Sequence, residues 1–364
     1  MISPLNWGLG HATRCSAIIH DLLQSNTFDI ILAADGRAYH WLQSAFPRLP
    51  LIRLEGMDIS YPSGKNMVLK MAASAPGMFF RIFREHRKLQ KIIRKYGIDI
   101  ILSDNRYGLW SQQVPAIFIT HQLHIITSAG FGMAERVVNR INHFFIKKFD
   151  ICWVPDFQGE NNISGSLSKL NSRHIKVRYI GMLSRFYGFT ASDIIDEPDF
   201  DSDLLVMLSG PEPQRSIFEE MVMGQLEGTT LKVIIIRGTP EGRAMLTPGN
   251  SNITIFNHLD DHALFTAIKK SKLIISRPGY STIMDLYHTG GTSVFVPTPG
   301  QTEQEYLAKR LAQKNIAPWF RQDDFLIQKA IKAVETYKGF SAIASDSHPD
   351  FSMLLNNLFV VREE

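Results

Sequence analysis

The chain has 364 residues, 45% of them hydrophobic and 20% charged, with a formal net charge of +4. This composition excludes a disordered or fibrous protein, and the length leaves room for two cores, since single cores stop growing near about 250 to 300 residues. Two cysteines, Cys15 and Cys152, are too few and too far apart for a disulfide framework, which points to a reducing, cytoplasmic setting.

No run of about 18 uncharged apolar residues occurs, and the N-terminus lacks a basic stretch followed by an apolar one, so neither export nor a membrane span is expected. Charge is divided unevenly. Residues 1–181 hold 22 Lys and Arg against 12 Asp and Glu, whereas residues 182–364 hold 17 against 23.

In chain order, Met1 to Ser3 would form a very short first strand before a glycine loop, so either this strand is short or the chain begins upstream. Apolar runs at 28–33, 50–54, 98–102, 115–119 and 150–154 follow, with helical stretches between them. Between 65 and 95 lie nine cations (Lys65, Lys70, Arg81, Arg84, Arg87, Lys88, Lys91, Arg94, Lys95) and one acid, Glu85. The helix read over 78–96 also carries Phe79, Phe80 and Phe83. It suits an anionic membrane surface, or else it is a solvated helix face. Nucleic acid is not expected, because no binding motif accompanies the charge.

After an acidic stretch at 192–202 the apolar runs resume at 203–208, 231–236, 272–276 and 292–296. Strands that read as continuous apolar runs are buried on both faces, and their alternation with helices implies parallel sheets. The expected fold class is α/β, with two Rossmann-like domains facing across a cleft. The first spans 1–181, the second 182–345, and a C-terminal helix within 346–364 is expected to pack back on the first.

Polar clusters fall where strands give way to helices. Asn6 to Arg14 read Asn-Trp-Gly-Leu-Gly-His-Ala-Thr-Arg. Here Gly8 and Gly10 allow a tight turn, and the following helix N-terminus offers free N–H groups. His11 fits a general base for an acceptor hydroxyl, and equally a helix-capping histidine. Asn105, Arg106 and His121 follow two strands and fit either acceptor contacts or solvated turns.

In the second half Ser209 and Gly210 open a small-residue loop suited to a diphosphate. The most specific segments are Asn257 to Asp261, Ser276 to Asp285 and Pro297 to Tyr306. Gly279, Ser281 and Thr282 open a helix that could hold a phosphate, or are ordinary first-turn residues. Asp285 lies further along it, and Gln304 and Glu305 bring amide and acid groups suited to sugar hydroxyls.

These segments together resemble the donor domain of glycosyltransferase family 28, the family of the bacterial UDP-N-acetylglucosamine transferase of peptidoglycan-precursor synthesis. The pattern is a Leu-Asp-Asp turn, then Ser-Arg-x-Gly-x-x-Thr with an acid three residues on, then Val-Pro followed by a Gln-Glu pair. The loop Gly-x-Gly-His-x-x-Arg resembles the acceptor-side loop of the same GT-B superfamily, and also that of sialic-acid-type nucleotide-sugar hydrolases.

The resemblance implies that His258 and Leu259 frame a uracil. It places Ser209, Gly210, Gly279, Ser281 and Thr282 at the diphosphate and Arg277 in the donor site. Asp285 would bind the ribose in place of the family's usual Glu, and Gln304 and Glu305 would meet the donor sugar. Gly8 and Gly10 fall in the acceptor-side loop of the resemblance, while Asn105, Arg106 and His121 are acceptor candidates by their position at the strand ends alone.

The function this implies is inverting transfer of a hexose, such as N-acetylglucosamine, from a UDP-sugar to an acceptor hydroxyl on a glycan or lipid-linked molecule. The UDP-sugar is the co-substrate, with no metal or other cofactor, and the place is the cytoplasm or the inner face of its membrane. A UDP-sugar hydrolase and a non-catalytic nucleotide-sugar binder are the alternatives.

Overall fold

The computed structural model describes residues 1–6, 8–56, 67–127, 132–170, 174–239, 251–342 and 349–363, the side chains of 67–75 and 359–363 excepted. Trp7 of the glycine loop, Lys65 and the side chain of Lys70 therefore lie outside the described residues. The chain divides into two compact units, Met1–Leu183 with Ser347–Glu364, and Ser184–Asp346.

The first unit is built on seven strands: β1 (Ile2–Pro4), β2 (Leu32–Ala34), β3 (Leu51–Arg53), β4 (Ile101–Asp104), β5 (Ala116–Ile119), β6 (Ile151–Val154) and β7 (Val177–Tyr179). All pair in parallel, in the order β3-β2-β1-β4-β5-β6-β7. Ile117, Phe118 and Ile119 of β5 are fully buried, as a central strand covered by helices on both faces requires. The chain steps outward from β1 to β3 and then returns to β4 on β1's other side. Ligands of such sheets bind at this reversal, outside the carboxyl ends of the strands.

Four helices follow strands of this sheet: α1 (Gly10–Ser25), α2 (Gly36–Ala45), α3 (Met67–Tyr96) and α4 (Gly132–Ile146). Cys15, Ile18, Ile19 and Leu22 form the buried stripe of α1 at i, i+3, i+4 and i+7. In α3 the inward face is Ile82, Glu85, Leu89 and Ile93.

The lone acid of the basic run is thus part of the core. Glu85 Oε1 accepts from Arg106 Nε at 2.7 Å, and Gly108 N–H donates to Glu85 Oε2 at 3.1 Å. Arg106 also donates to Ser3 Oγ at 3.0 Å and to the Leu54 carbonyl at 2.9 Å. This corrects the expectation for Arg106. It is 1% exposed and ties α3 to strands β1 and β3 rather than reaching a ligand. Gly108 is required here, because a Cβ would stand 2.4 Å from Glu85 Oε2. Glu85→Gln strands a buried guanidinium and is expected to destabilise the protein by about 3 to 5 kcal/mol, read from denaturant midpoints. An unchanged midpoint would show that the pair is dispensable.

The second unit carries β8 (Ser202–Met207), β9 (Val233–Ile236), β10 (Ile253–Phe256), β11 (Ser271–Ser276) and β12 (Ser293–Phe295). They pair in parallel as β10-β9-β8-β11-β12, so the order reverses between β8 and β11. Its helices are α5 (Gln214–Gln225), α6 (Asp261–Lys270), α7 (Tyr280–Thr289), α8 (Thr302–Gln313) and α9 (Ile327–Val334).

The last helix, α10 (Phe351–Glu363), belongs to the first unit. Phe351 N–H donates to Asp21 Oδ2 at 2.9 Å, and its ring lies 5.9 Å from that of Trp153.

Strands β7 and β10 were not evident as apolar runs. Both are edge strands: Val177 and Tyr179 are only half-buried, and β10 alternates buried and half-buried residues. One open flank dilutes the continuous pattern that marks a central strand. Among the described residues no helix is long and apolar enough to cross a membrane.

Candidate active site

In the first unit the reversal between β1 and β4 gathers a cluster of charged side chains. Gly8 turns the chain after β1 with φ +68°, a conformation suited to glycine, whereas Gly10 is simply the first residue of α1. Leu9, at the helix N-cap, gives no side-chain cap. The short turn brings His11 over Asp104, the last residue of β4. His11 Nδ1 lies 3.0 Å from Asp104 Oδ1. A carboxylate only accepts, so Nδ1 carries the proton and Nε2 carries the lone pair.

Arg14, one turn further along α1, grips the same carboxylate. Its Nε donates to Oδ2 at 2.6 Å and its Nη2 donates to Oδ1. Burial pushes the Asp104 carboxyl up, but Arg14 and His11 outweigh it and hold the group well below the usual carboxylate range. Burial in turn lowers His11 below the ordinary histidine value, opposed by Asp104 and aided by Arg14. The imidazole is therefore neutral at pH 7 and oriented by a buried, ionised carboxylate, the state a general base needs. The helix-cap alternative for His11 does not describe this arrangement.

His121 is also buried, its Nδ1 accepting from Arg14 Nη1 at 3.5 Å. It stands behind the pair through Arg14. Asn105 follows Asp104 in the left-handed region, φ +59°, and is half-buried at the strand end. Asp104 and Arg14 were not singled out in the sequence. Arg14 is the last residue of the glycine-loop pattern, and Asp104 ends an apolar strand next to Asn105.

In the second unit the loops after β8, β10, β11 and β12 lie at the same sheet edge. Ser209 and Gly210 are exposed, Gly210 with φ +105°. The N-termini of α5, α7 and α8, capped at Pro213, Gly279 and Gln301, make no side-chain cap bond. By contrast, Asp260 of the Leu-Asp-Asp turn caps α6 by accepting from Ala263 N–H at 2.9 Å. His258 beside it is exposed and Leu259 is buried. Ser281 and Thr282 lie half-buried in the first turn of α7. Gln304 Oε1 accepts from Thr298 N–H at 2.8 Å, which fixes the loop after β12, and Glu305 follows it half-buried.

Two donor-side expectations are corrected. Arg277 is 1% exposed, lies over the Phe218 ring at 4.2 Å and donates to the carbonyls of Val296, Pro297 and Gln214. It supports the loops from within and is not open to a ligand. The carboxylate of Asp285 is likewise taken up: Ser184 Oγ and Arg185 N–H donate to Oδ1 at 3.0 and 3.1 Å, and Arg185 Nε to Oδ2 at 2.9 Å. It holds the first residues of the second unit instead of standing free for a ribose. Arg185, which sequence reasoning did not single out, becomes legible only through this pairing. Among the described residues, no group of three or more His, Cys, Asp or Glu is placed to hold a metal ion.

Residues 217–345 match the model of the glycosyltransferase family 28 C-terminal domain. The second unit is thus similar to the family 28 donor domain, and the chain shares the fold of the GT-B glycosyltransferases. It is similar to an uncharacterized glycosyltransferase of Methanopyrus kandleri, 21% identical over 318 residues, covering 84% of this chain and 87% of the relative. It is also similar to the UDP-N-acetylglucosamine--N-acetylmuramyl-(pentapeptide) pyrophosphoryl-undecaprenol N-acetylglucosamine transferase of Rickettsia massiliae, 26% identical over 219 residues, 53% of this chain and 57% of the relative. Among solved structures, the spinosyn rhamnosyltransferase SpnG complexed with thymidine diphosphate shares the fold, with a TM-score of 0.61 and 13% identity, covering 94% of this chain and 93% of that one.

Proposed function

We propose that this glycosyltransferase is inverting and UDP-sugar-dependent, moving a hexose such as N-acetylglucosamine to a hydroxyl of a glycan or lipid-linked acceptor. The observation that carries the reading is the neutral His11 held on the buried Asp104 carboxylate at the sheet reversal. His11 Nε2 takes the acceptor proton, and the acceptor oxygen bonds to the anomeric carbon. The bond from that carbon to the diphosphate breaks, and the diphosphate leaves with the electron pair. The uncapped N-termini of α5 and α7 supply N–H groups and partial positive charge for that leaving group.

The uridine preference rests on the family 28 match, and a nucleoside diphosphate is supported by the thymidine diphosphate of the fold neighbour. A panel of nucleotide sugars scored by thermal shift tests the donor. A ligand at 100 times its dissociation constant stabilises by about 2.7 kcal/mol. If no UDP-sugar shifts the midpoint, the donor assignment falls. Rapid release of free sugar without an acceptor would instead identify a hydrolase.

Because helix N-termini meet the leaving charge in this reading, transfer is expected to persist in excess chelator. Strict dependence on manganese would contradict it.

The place of action is proposed as the cytoplasmic face of an anionic membrane. Phe80 and Phe83 of α3 are 66% and 43% exposed beside exposed Arg81, Arg84 and Arg87, a pairing of aromatic and cationic groups that suits such a surface. Glu55 neutralises part of this charge by pairing with Arg84 and Lys88 at 2.6 Å. Charge reversal at Arg84, Arg87, Lys88 and Lys91 is expected to abolish binding to phosphatidylglycerol vesicles. An unchanged partition would leave α3 as a solvated face.

A further inference from the structure

The mechanism leaves unused a concave site on the first unit, formed on α4. It is a cavity of about 520 Å3 whose wall includes Arg136, Arg140, His143 and Lys147. The spacing i, i+4, i+7 and i+11 puts all four on one side of α4 and the residue that follows it.

The cavity's only acid is already engaged. Glu135 accepts from His124 Nε2 at 3.1 Å and from Thr127 N–H and Oγ at 2.9 and 3.1 Å. The Thr127 N–H above all holds its carboxyl below the usual range. Arg136, Arg140 and Lys147 form no ion pair among the described residues. Three cations therefore line the cavity against a single carboxylate, which is turned to His124 and Thr127, so positive charge is in excess there.

Other polar groups at this site are committed to building it. Asn139 binds both the N–H and the carbonyl of Ile125, at 2.7 and 2.9 Å, and His143 Nε2 meets the Leu123 carbonyl at 2.8 Å. The loop from 121 to 127 is thereby pinned to α4 and forms a fixed rim. Phe144, 51% exposed, borders the cations with an apolar surface.

We propose that this cavity is a binding site for a phosphate or diphosphate group, separate from the donor-binding unit and from the His11–Asp104 pair. Guanidinium forks match phosphate oxygens in bidentate fashion, and two arginines one turn apart with a nearby lysine can balance a dianion or trianion. Phosphate of this kind is available from a soluble phosphoanion and from a phospholipid headgroup, and the two sources are separable by experiment.

The test compares the full-length wild type with Arg136→Gln/Arg140→Gln, whose side chains are exposed and whose thermal midpoint is expected to be unchanged. One arm titrates sodium pyrophosphate by calorimetry in the presence of saturating UDP. The other measures partition to phosphatidylglycerol vesicles against phosphatidylcholine vesicles. Loss of two charge-assisted contacts should weaken the responsible interaction about tenfold or more. Weakening in the pyrophosphate arm identifies a soluble phosphoanion, and weakening confined to the phosphatidylglycerol arm identifies a headgroup. If the double variant matches the wild type in both arms, or the wild type binds neither probe, the proposal is overturned. Because neither readout is catalytic, failure here is distinguishable from failure of the glycosyltransfer reading.

Discussion

Replacing His11 with Ala is expected to lower kcat/KM for sugar transfer by about 10²- to 10⁴-fold, the range that a positioned general base contributes. Donor affinity should be unchanged, because His11 belongs to the first unit and the family 28 match lies wholly in the second. Stability should change little, since the ring keeps some exposure and carries no buried charge. The wild-type pH profile gives the same base an independent signature. Only the neutral imidazole accepts a proton, and burial lowers its pKa below the ordinary histidine value of 6.5. Activity should hold as pH falls to that value and decline only below it, through the protonation of His11. A rate already halved near pH 7.5 would assign the proton transfer to another group.

Asp104→Asn is expected to have the largest combined effect. The substitution keeps the shape of the side chain but removes the charge that balances Arg14, which is 3% exposed. An unpaired buried cation costs about 3 to 5 kcal/mol. In a unit of this size that corresponds to a fall of about 6 to 20 °C in the unfolding midpoint.

Activity should fall as well, because an amide orients the His11 tautomer less strictly than a carboxylate. The attraction that raises His11 also disappears, so the acid limb of any residual activity should move to lower pH. A double variant separates the two roles of Asp104. Adding Arg14→Met to Asp104→Asn removes both members of the pair, and should recover stability without recovering activity. Recovery of both would mean that Asp104 acts only as a structural counter-ion.

The two variants bear on how far the chemistry could be read in the sequence. His11 was visible because a glycine turn, a histidine and a helix start are all local features. Asp104 was not, since it closes the apolar run of β4 and acquires its role only when the sheet order places β4 beside β1, about ninety residues away in the chain. The same limit explains Arg106 and Arg277. Each sits beside residues that suit a ligand, and each turns inward because partners distant in sequence, Glu85 for one and the carbonyls after β12 for the Nη1 of the other, take up its N–H groups.

Asp285 shows a related failure. Its spacing after Thr282 matches the family pattern, yet Ser184 and Arg185, a hundred residues upstream, claim its oxygens. Central strands were legible because burial on both faces leaves a continuous apolar run. The edge strands β7 and β10 were not.

The return of α10 to the first unit has a consequence for how the protein is made. Phe351, Leu354 and Leu355 are buried there, and Phe351 seals the face that includes Trp153. Domains usually fold in the order of their synthesis. Here the unit synthesised first is completed by residues that come after the second unit, Ser184–Asp346, whose own strands are contiguous in the chain. His11 therefore resides in a scaffold that is finished only after the second unit has been made, and a gene fragment ending near residue 183 would encode its sheet without its seal.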